Sequence, residues 1–141
     1  MFGMRGIEMN TSEGWTEVAF NNRDPVYMQV VRHFKERIAT GHAKAGQAIP
    51  SRRELGALMK INPNTVQKAY KEMEDQQLIV TEGNLPSRIT HDTHVLSQIR
   101  AELLGSAVRD FLQTVQKIDI PIDELLLMVE RQYKEMGAKH D

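Results

Sequence analysis

Apolar residues recur at steps of three and four in five stretches of this 141-residue chain, and in one further place they form a short β-branched cluster. The first stretch, "DPVYMQVVRHFKERIATG", aligns Tyr27, Val30, Val31, Phe34 and Ile38 on one helical face. Asp24 is placed to cap that helix, and Pro25 suits the first helical position, where its missing N–H is harmless. Gly41 marks the stop. After the loop "HAKAGQAIP", Ser51 and Glu54 have capping-box spacing, and Leu55, Leu58 and Met59 supply a buried side. That helix can run only to about Lys60, because Asn62 and Pro63 open another one at once. Val66, Ala69, Tyr70 and Met73 line the inner face of this third helix, opposite Asn64, Thr65, Gln67, Lys68 and Lys71.

The β-branched cluster, "LIVTEGNLPSRIT", is broken at Glu82, Gly83 and Asn84 and predicts a two-stranded hairpin with a tight tip. Helical periodicity then returns through Leu96, Ile99, Leu103, Ala107, Phe111, Val115 and Ile118. It resumes after "DIPID" with Leu125, Leu126, Val129 and Tyr133. Two such helices cannot bury their stripes alone, so they must pack on the first domain, on a second copy, or on both. The predicted fold is mainly α with a small β hairpin. It comprises an N-terminal extension over 1–23, a winged helix-turn-helix over 24–90, and a two-helix dimerisation tail over 91–141. The extension is expected to begin as a mobile segment and to continue as a short extended piece anchored by Trp15, Val18 and Phe20. The dimer seam is drawn through Leu96, Ile99, Leu103, Phe111, Val115, Leu125 and Val129.

Composition narrows the function. The net charge is −1, but from Pro25 to Thr90 ten basic side chains stand against six acidic ones, a balance suited to a polyanion-binding module beside a part that does not bind. The absence of cysteine removes disulfides, thiolate metal sites and cysteine nucleophiles. No apolar run approaches the ~20 residues of a membrane span, and "MFGMRGIEMN" lacks the apolar core of a signal peptide, so a cytoplasmic protein without a membrane partner is expected. Glycine-rich phosphate loops, paired-carboxylate sites and nucleophile constellations are missing from the sequence, which argues against an enzyme. "HDTH" places His91 and His94 at a spacing that could serve a metal, yet it reads as a solvated linker; no metal or cofactor is expected.

Two short helices at a steep angle let the second lie in a DNA major groove while the first crosses the backbone. Asn64 and Gln67 are able to pair with adenine, and Thr65 presents a methyl for thymine. Arg52 and Arg53 sit beside the helix start at Ser51, where N–H groups already favour phosphate.

With those residues in place, "YMQVVRHFKERIATGHAKAGQAIPSRRELGALMKINPNTVQKAYKEMEDQQLIV" resembles the amino-terminal domain of GntR-type transcriptional regulators. The shared features are a tyrosine-led first helix, a "PSRREL" passage and an "N..TV..AY" recognition helix. The short helical tail resembles the YtrA-like subgroup. The resemblance implies operator contacts by Arg53, Asn62, Asn64, Thr65 and Gln67, with Ser51 at the helix start. It implies phosphate contacts by Arg52 and Lys68, extended to Lys71 on the same face, and wing contacts by Gly83 and Arg88. It further implies a homodimeric repressor on a pseudo-palindromic double-stranded operator, controlling a transporter-type operon and its own gene, with room for a small-molecule effector of unspecified chemistry. Two positions depart from the family pattern. Gln77 stands where a glycine precedes the first wing strand, and Pro86 replaces the second glycine of the wing tip. A competing expectation is a winged-helix assembly module that binds protein and no specific DNA.

Overall fold

The computed structural model of the chain describes residues 14–16 and 18–140. The mobile start expected for the first residues lies outside them. Contacts divide the chain into two compact units, one ending at Leu103 and one beginning at Leu104. The boundary falls inside a helix.

The first unit is built on α1 (Val26–Ala39), α2 (Arg52–Met59) and α3 (Pro63–Asp75). Helix α1 starts one residue later than expected, with Pro25 at the cap and no side chain bonding the first turn. Asp24 is not the cap, because the preceding turn is closed from elsewhere. Asn21 Oδ1 accepts the N–H groups of Arg23 and Asp24 at 2.9 and 3.0 Å, and Gln29 Nε2 donates back to the Asp24 carbonyl at 2.7 Å. Gly41 ends the helix at φ 81°, in the left-handed region that glycine enters without a steric penalty.

Both expected caps of the central pair are present. Glu54 N–H donates to Ser51 Oγ at 3.1 Å while Ser51 N–H donates to Glu54 Oε1 at 2.9 Å. Asn62 Oδ1 accepts Asn64 N–H at 2.7 Å with Pro63 in the first turn of α3. Between them Lys60 takes a left-handed conformation at φ 56°, so the chain reverses within the stretch joining α2 to α3. Val66, Ala69, Tyr70 and Met73 are all fully buried and meet Val30, Phe34 and Leu55 in one core. Helix α3 ends with Gln77 at φ 64°; Leu78 N–H reaches Met73 O and Gln77 N–H reaches Glu74 O, a Schellman closure built without glycine.

Strands β1 (Ile79–Val80) and β2 (Arg88–Ile89) pair antiparallel, with Ile79 opposite Ile89. The connection is longer than the tight tip expected. A turn from Glu82 to Leu85 lies within residues 81–87, and Gly83 is at φ 55°. The loop before α2 is also partly sheet: Ala48 bridges Arg88, and Ile49 N–H donates to Ser87 O while Ile89 N–H donates to Gln47 O. Trp15 lies in a short 3₁₀ turn, Gly14–Thr16, rather than an extended piece. It is fully buried and stacked on Phe34 at 4.4 Å, so the N-terminal extension contributes to the core.

Helix α4 (Thr93–Val115) is opened by Asp92, whose Oδ1 accepts His94 N–H at 2.9 Å. Its first half packs on the winged domain, one of the two surfaces expected to cover the stripe. Ile99 is buried in the core of the first unit with Leu96 and Leu103 packed against it, and Lys35 Nζ lies 3.0 Å from Glu102 Oε2. The stripe is continuous in sequence, and its first turns are consumed by the chain's own winged domain.

The second unit holds the rest of α4 and α5 (Ile122–His140). Leu125 is buried within it, whereas Phe111 and Val129 remain exposed. Phe111, Val115, Ile118, Leu125, Val129 and Tyr133 help line an apolar groove of about 520 Å³. Among the described residues no helix is long and apolar enough to cross a membrane, and no group of three His, Cys, Asp or Glu side chains could hold a metal ion.

Candidate nucleic-acid interface

The caps decide which side of α3 faces outward. Because Asn62 fixes the first turn and the stripe from Val66 to Met73 is wholly buried, Asn64, Gln67, Lys68 and Lys71 are turned to solvent, with Thr65 half-buried beside them. Ser51 and Asn62, expected as contacts, spend their side-chain acceptors on helix caps. The amide donor of Asn62 stays available, whereas the Ser51 hydroxyl is turned to the Glu54 carboxylate. The two hydrogen bonds from Ser51, its backbone N–H first, hold the Glu54 carboxyl below the usual carboxylate range.

The adjacent arginines have different surroundings. Arg53 is exposed and has no ion pair or hydrogen bond among the described residues. Arg52 folds inward. Its guanidinium lies 4.9 Å from the Tyr70 ring centroid, Nη2 is 3.4 Å from Glu74 Oε1, and Nε is buried without a hydrogen-bond partner. Tyr70 in turn donates its hydroxyl to Pro50 O, and burial pushes its phenol pKa upward against the opposing pull of Arg52. Tyr70 and Arg52 thus brace the entry to α2.

The cations on α3 also differ. Lys68 Nζ sits 4.3 Å from the centroid of the Tyr27 ring, a cation–π placement that pre-orders the ammonium while leaving its donors open. Lys71 pairs loosely with Asp75 at 3.9 Å, with both side chains well exposed, an arrangement worth little in water. In the wing, Arg88 Nη1 donates to Gly46 O at 3.0 Å, so part of its guanidinium is used to hold the loop before α2. Gly83 stands at the turn with open space around it.

Tyr27, Glu74 and Thr81 are three residues at this surface that the sequence did not single out for a site. Tyr27 fits an apolar helix stripe, and its half-exposed ring under Lys68 emerges only when α1 and α3 are packed together. Glu74 and Thr81 are unremarkable polar residues until the wing folds back. Thr81 Oγ1 then donates to Glu74 Oε2 at 2.9 Å.

Residues 26–89 match the family model for bacterial regulatory proteins of the gntR family. The chain carries a GntR-family helix-turn-helix domain. It is 46% identical over 57 residues to the HTH-type transcriptional repressor YtrA of Bacillus subtilis, a match that takes in 40% of this chain and 44% of that protein. It is 24% identical over 107 residues to the uncharacterized HTH-type transcriptional regulator YhcF of the same species, covering 76% of this chain and 88% of that one. A GntR family transcriptional regulator from Listeria monocytogenes has a similar structure, with a TM-score of 0.71 and 28% identity over 79% of this chain and 98% of that chain. Residues 26–89 are therefore a DNA-binding domain of the kind that GntR-family transcriptional regulators carry. The left-handed Gln77 shows how it keeps a family-like turn at a position where the resemblance leads one to expect glycine.

Proposed function

We propose that this protein is a sequence-specific, homodimeric repressor of the YtrA-like kind, binding a pseudo-palindromic operator before a transporter-type operon that includes its own gene. The main support is the outward face of α3, where Asn64, Gln67, Lys68 and Lys71 share one solvent side next to the unpaired Arg53. In this reading Arg53, Asn64, Thr65 and Gln67 meet base edges, and Lys68 and Lys71 meet phosphates. Ser51 and Asn62 present the two helices, and Asn62 uses its amide donor on the DNA backbone. Arg52 braces rather than binds, and Arg88 with Gly83 shapes the wing.

The exposed apolar side chains of the second unit, including Phe111, Leu126, Val129 and Tyr133, support the dimer. A two-fold pair of such units would hide them and place two recognition helices on DNA at a spacing of about 34 Å or a multiple.

The decisive experiment compares binding to the DNA upstream of its own gene with scrambled DNA of equal length across a salt series. A preference of about 10³ or more, falling steeply with salt, is expected of a specific repressor. Weak and equal binding to both, repeated on genome-wide selected fragments, would overturn the reading in favour of a protein-assembly module.

A further inference from the structure

The wing is held by an unusual joint. Its outer part has little apolar packing: Leu85 is 63% exposed, and Leu85 and Pro86 line an open cleft of about 660 Å³ whose other wall includes Ser51, Glu54 and Leu58. At its base, polar contacts converge. Thr81 Oγ1 donates to Glu74 Oε2 at 2.9 Å and lies 2.5 Å from Ser87 Oγ on the returning strand. A hydroxyl has one proton, so with Thr81 donating to the carboxylate the Ser87 hydroxyl must donate to Thr81. The second carboxylate oxygen, Glu74 Oε1, faces Arg52 at 3.4 Å. One carboxylate on the recognition helix therefore touches both the wing and the helix before it. Ser87 is 7% exposed, and the Glu74 side chain retains only 35% exposure, so this joint is shielded more than a surface pair.

We propose that Glu74 and Thr81 are positioning residues that set the angle of the wing against the recognition helix, so that operator affinity depends on a hydroxyl that itself touches no DNA. The inference rests on the DNA-binding reading above and adds to it a source of affinity outside the contact surface. An oriented wing can meet DNA together with α3, whereas a loosened one must be ordered at the moment of binding.

The absence of cysteine permits a clean probe: a single nitroxide on Leu85→Cys in the full-length chain reports wing motion without DNA. In that background Thr81→Val keeps the side-chain shape and removes the hydroxyl, and Thr81→Ser restores it. The expected result is a more mobile nitroxide in Thr81→Val, with operator affinity lower by about 3- to 10-fold, as for loss of one hydrogen-bonded joint. Thr81→Ser should stay close to the parent in both readouts, and Glu74→Gln should fall between. Unchanged mobility in Thr81→Val overturns the joint, whatever happens to affinity. Raised mobility with unchanged affinity overturns its role in binding. If the parent binds no operator at all, the repressor reading fails, while the mobility comparison still decides whether Thr81 holds the wing.

Discussion

The two units of the chain solve the problem of apolar surface in opposite ways. In the winged unit, Trp15, Phe34, Leu55, Tyr70 and Met73 are fully buried, and its large exposed apolar side chains are scattered ones such as Met28, Val80 and Leu85. Among the described side chains of the helical unit only Leu125 is buried, while Leu104, Val108, Ile118, Leu126, Leu127 and Tyr133 are all more than half exposed. Scattered apolar residues are normal on a protein surface, but a contiguous set signals an interface. The contrast separates a unit whose apolar core is closed within the chain from one that leaves most of its apolar side chains exposed, as the proposed dimer requires.

The sharpest way to break that contrast is to damage the closed core. Trp15→Ala should destabilise the winged unit by about 3–5 kcal/mol, the usual loss when a buried large aromatic is truncated. Thermal unfolding followed by circular dichroism would measure it. A loss below about 1 kcal/mol would mean that the 3₁₀ turn is dispensable and that the core closes without the N-terminal segment. The converse substitution belongs on the open unit. Val129→Asp is expected to leave the unfolding of the winged unit unchanged and to weaken self-association by at least about 2 kcal/mol, because an unpaired carboxylate would have to be buried at the seam. Sedimentation velocity across a concentration series reads this directly. An unaltered dimer would place the seam away from α5.

The adjacent arginines refine the comparison within the winged unit. Arg53→Ala should lower operator affinity by about 1–3 kcal/mol with little change in melting temperature, since Arg53 is exposed and makes no hydrogen bond or ion pair among the described residues. Arg52→Ala should lower the melting temperature as well, because it uncovers Tyr70 and leaves Glu74 without its cation. Equal behaviour of the two variants in both assays would erase the distinction between a binding and a bracing arginine.

That distinction also marks where sequence reasoning stops. The boundaries of α2 and α3 were legible because caps are local: Ser51 with Glu54, and Asn62 with Pro63, need no partner from elsewhere in the chain. The buried face of α3 was legible for the same reason, as helical spacing alone aligns Val66, Ala69, Tyr70 and Met73. Asp24 failed as a cap because a more distant residue, Gln29, reaches back and closes the same turn. The strand character of residues 46–49 was hidden, since Gly46-Gln47-Ala48-Ile49 has no alternating pattern and is recruited by the β2 backbone. Periodicity in α4 indicates that one face is covered but not by what; Leu96, Ile99 and Leu103 pack on the winged core. Two neighbouring arginines are equivalent in sequence, and only the position of Tyr70 separates them. The outward residues of α3 were all legible as a surface, while the Thr81–Glu74 joint depends on contacts formed after the wing folds.

The smallest expected effect is in the capping box of α2. Hydrogen bonds from Ser51 depress the Glu54 carboxyl, so its folded-state pKa lies below the unfolded one. A depressed carboxylate binds its proton more readily in the unfolded chain, so its contribution is present above the unfolded pKa and fades as pH falls through the folded value. Glu54→Gln keeps an acceptor for Ser51 N–H and removes the charge. The variant should therefore melt slightly below the parent at pH 7, and the gap should close toward pH 3. Melting temperatures across that range provide the measurement. A gap that widens on acidification would mean that the charge on Glu54 opposes the fold, and that the start of α2, which presents Arg53, is held by Ser51 alone.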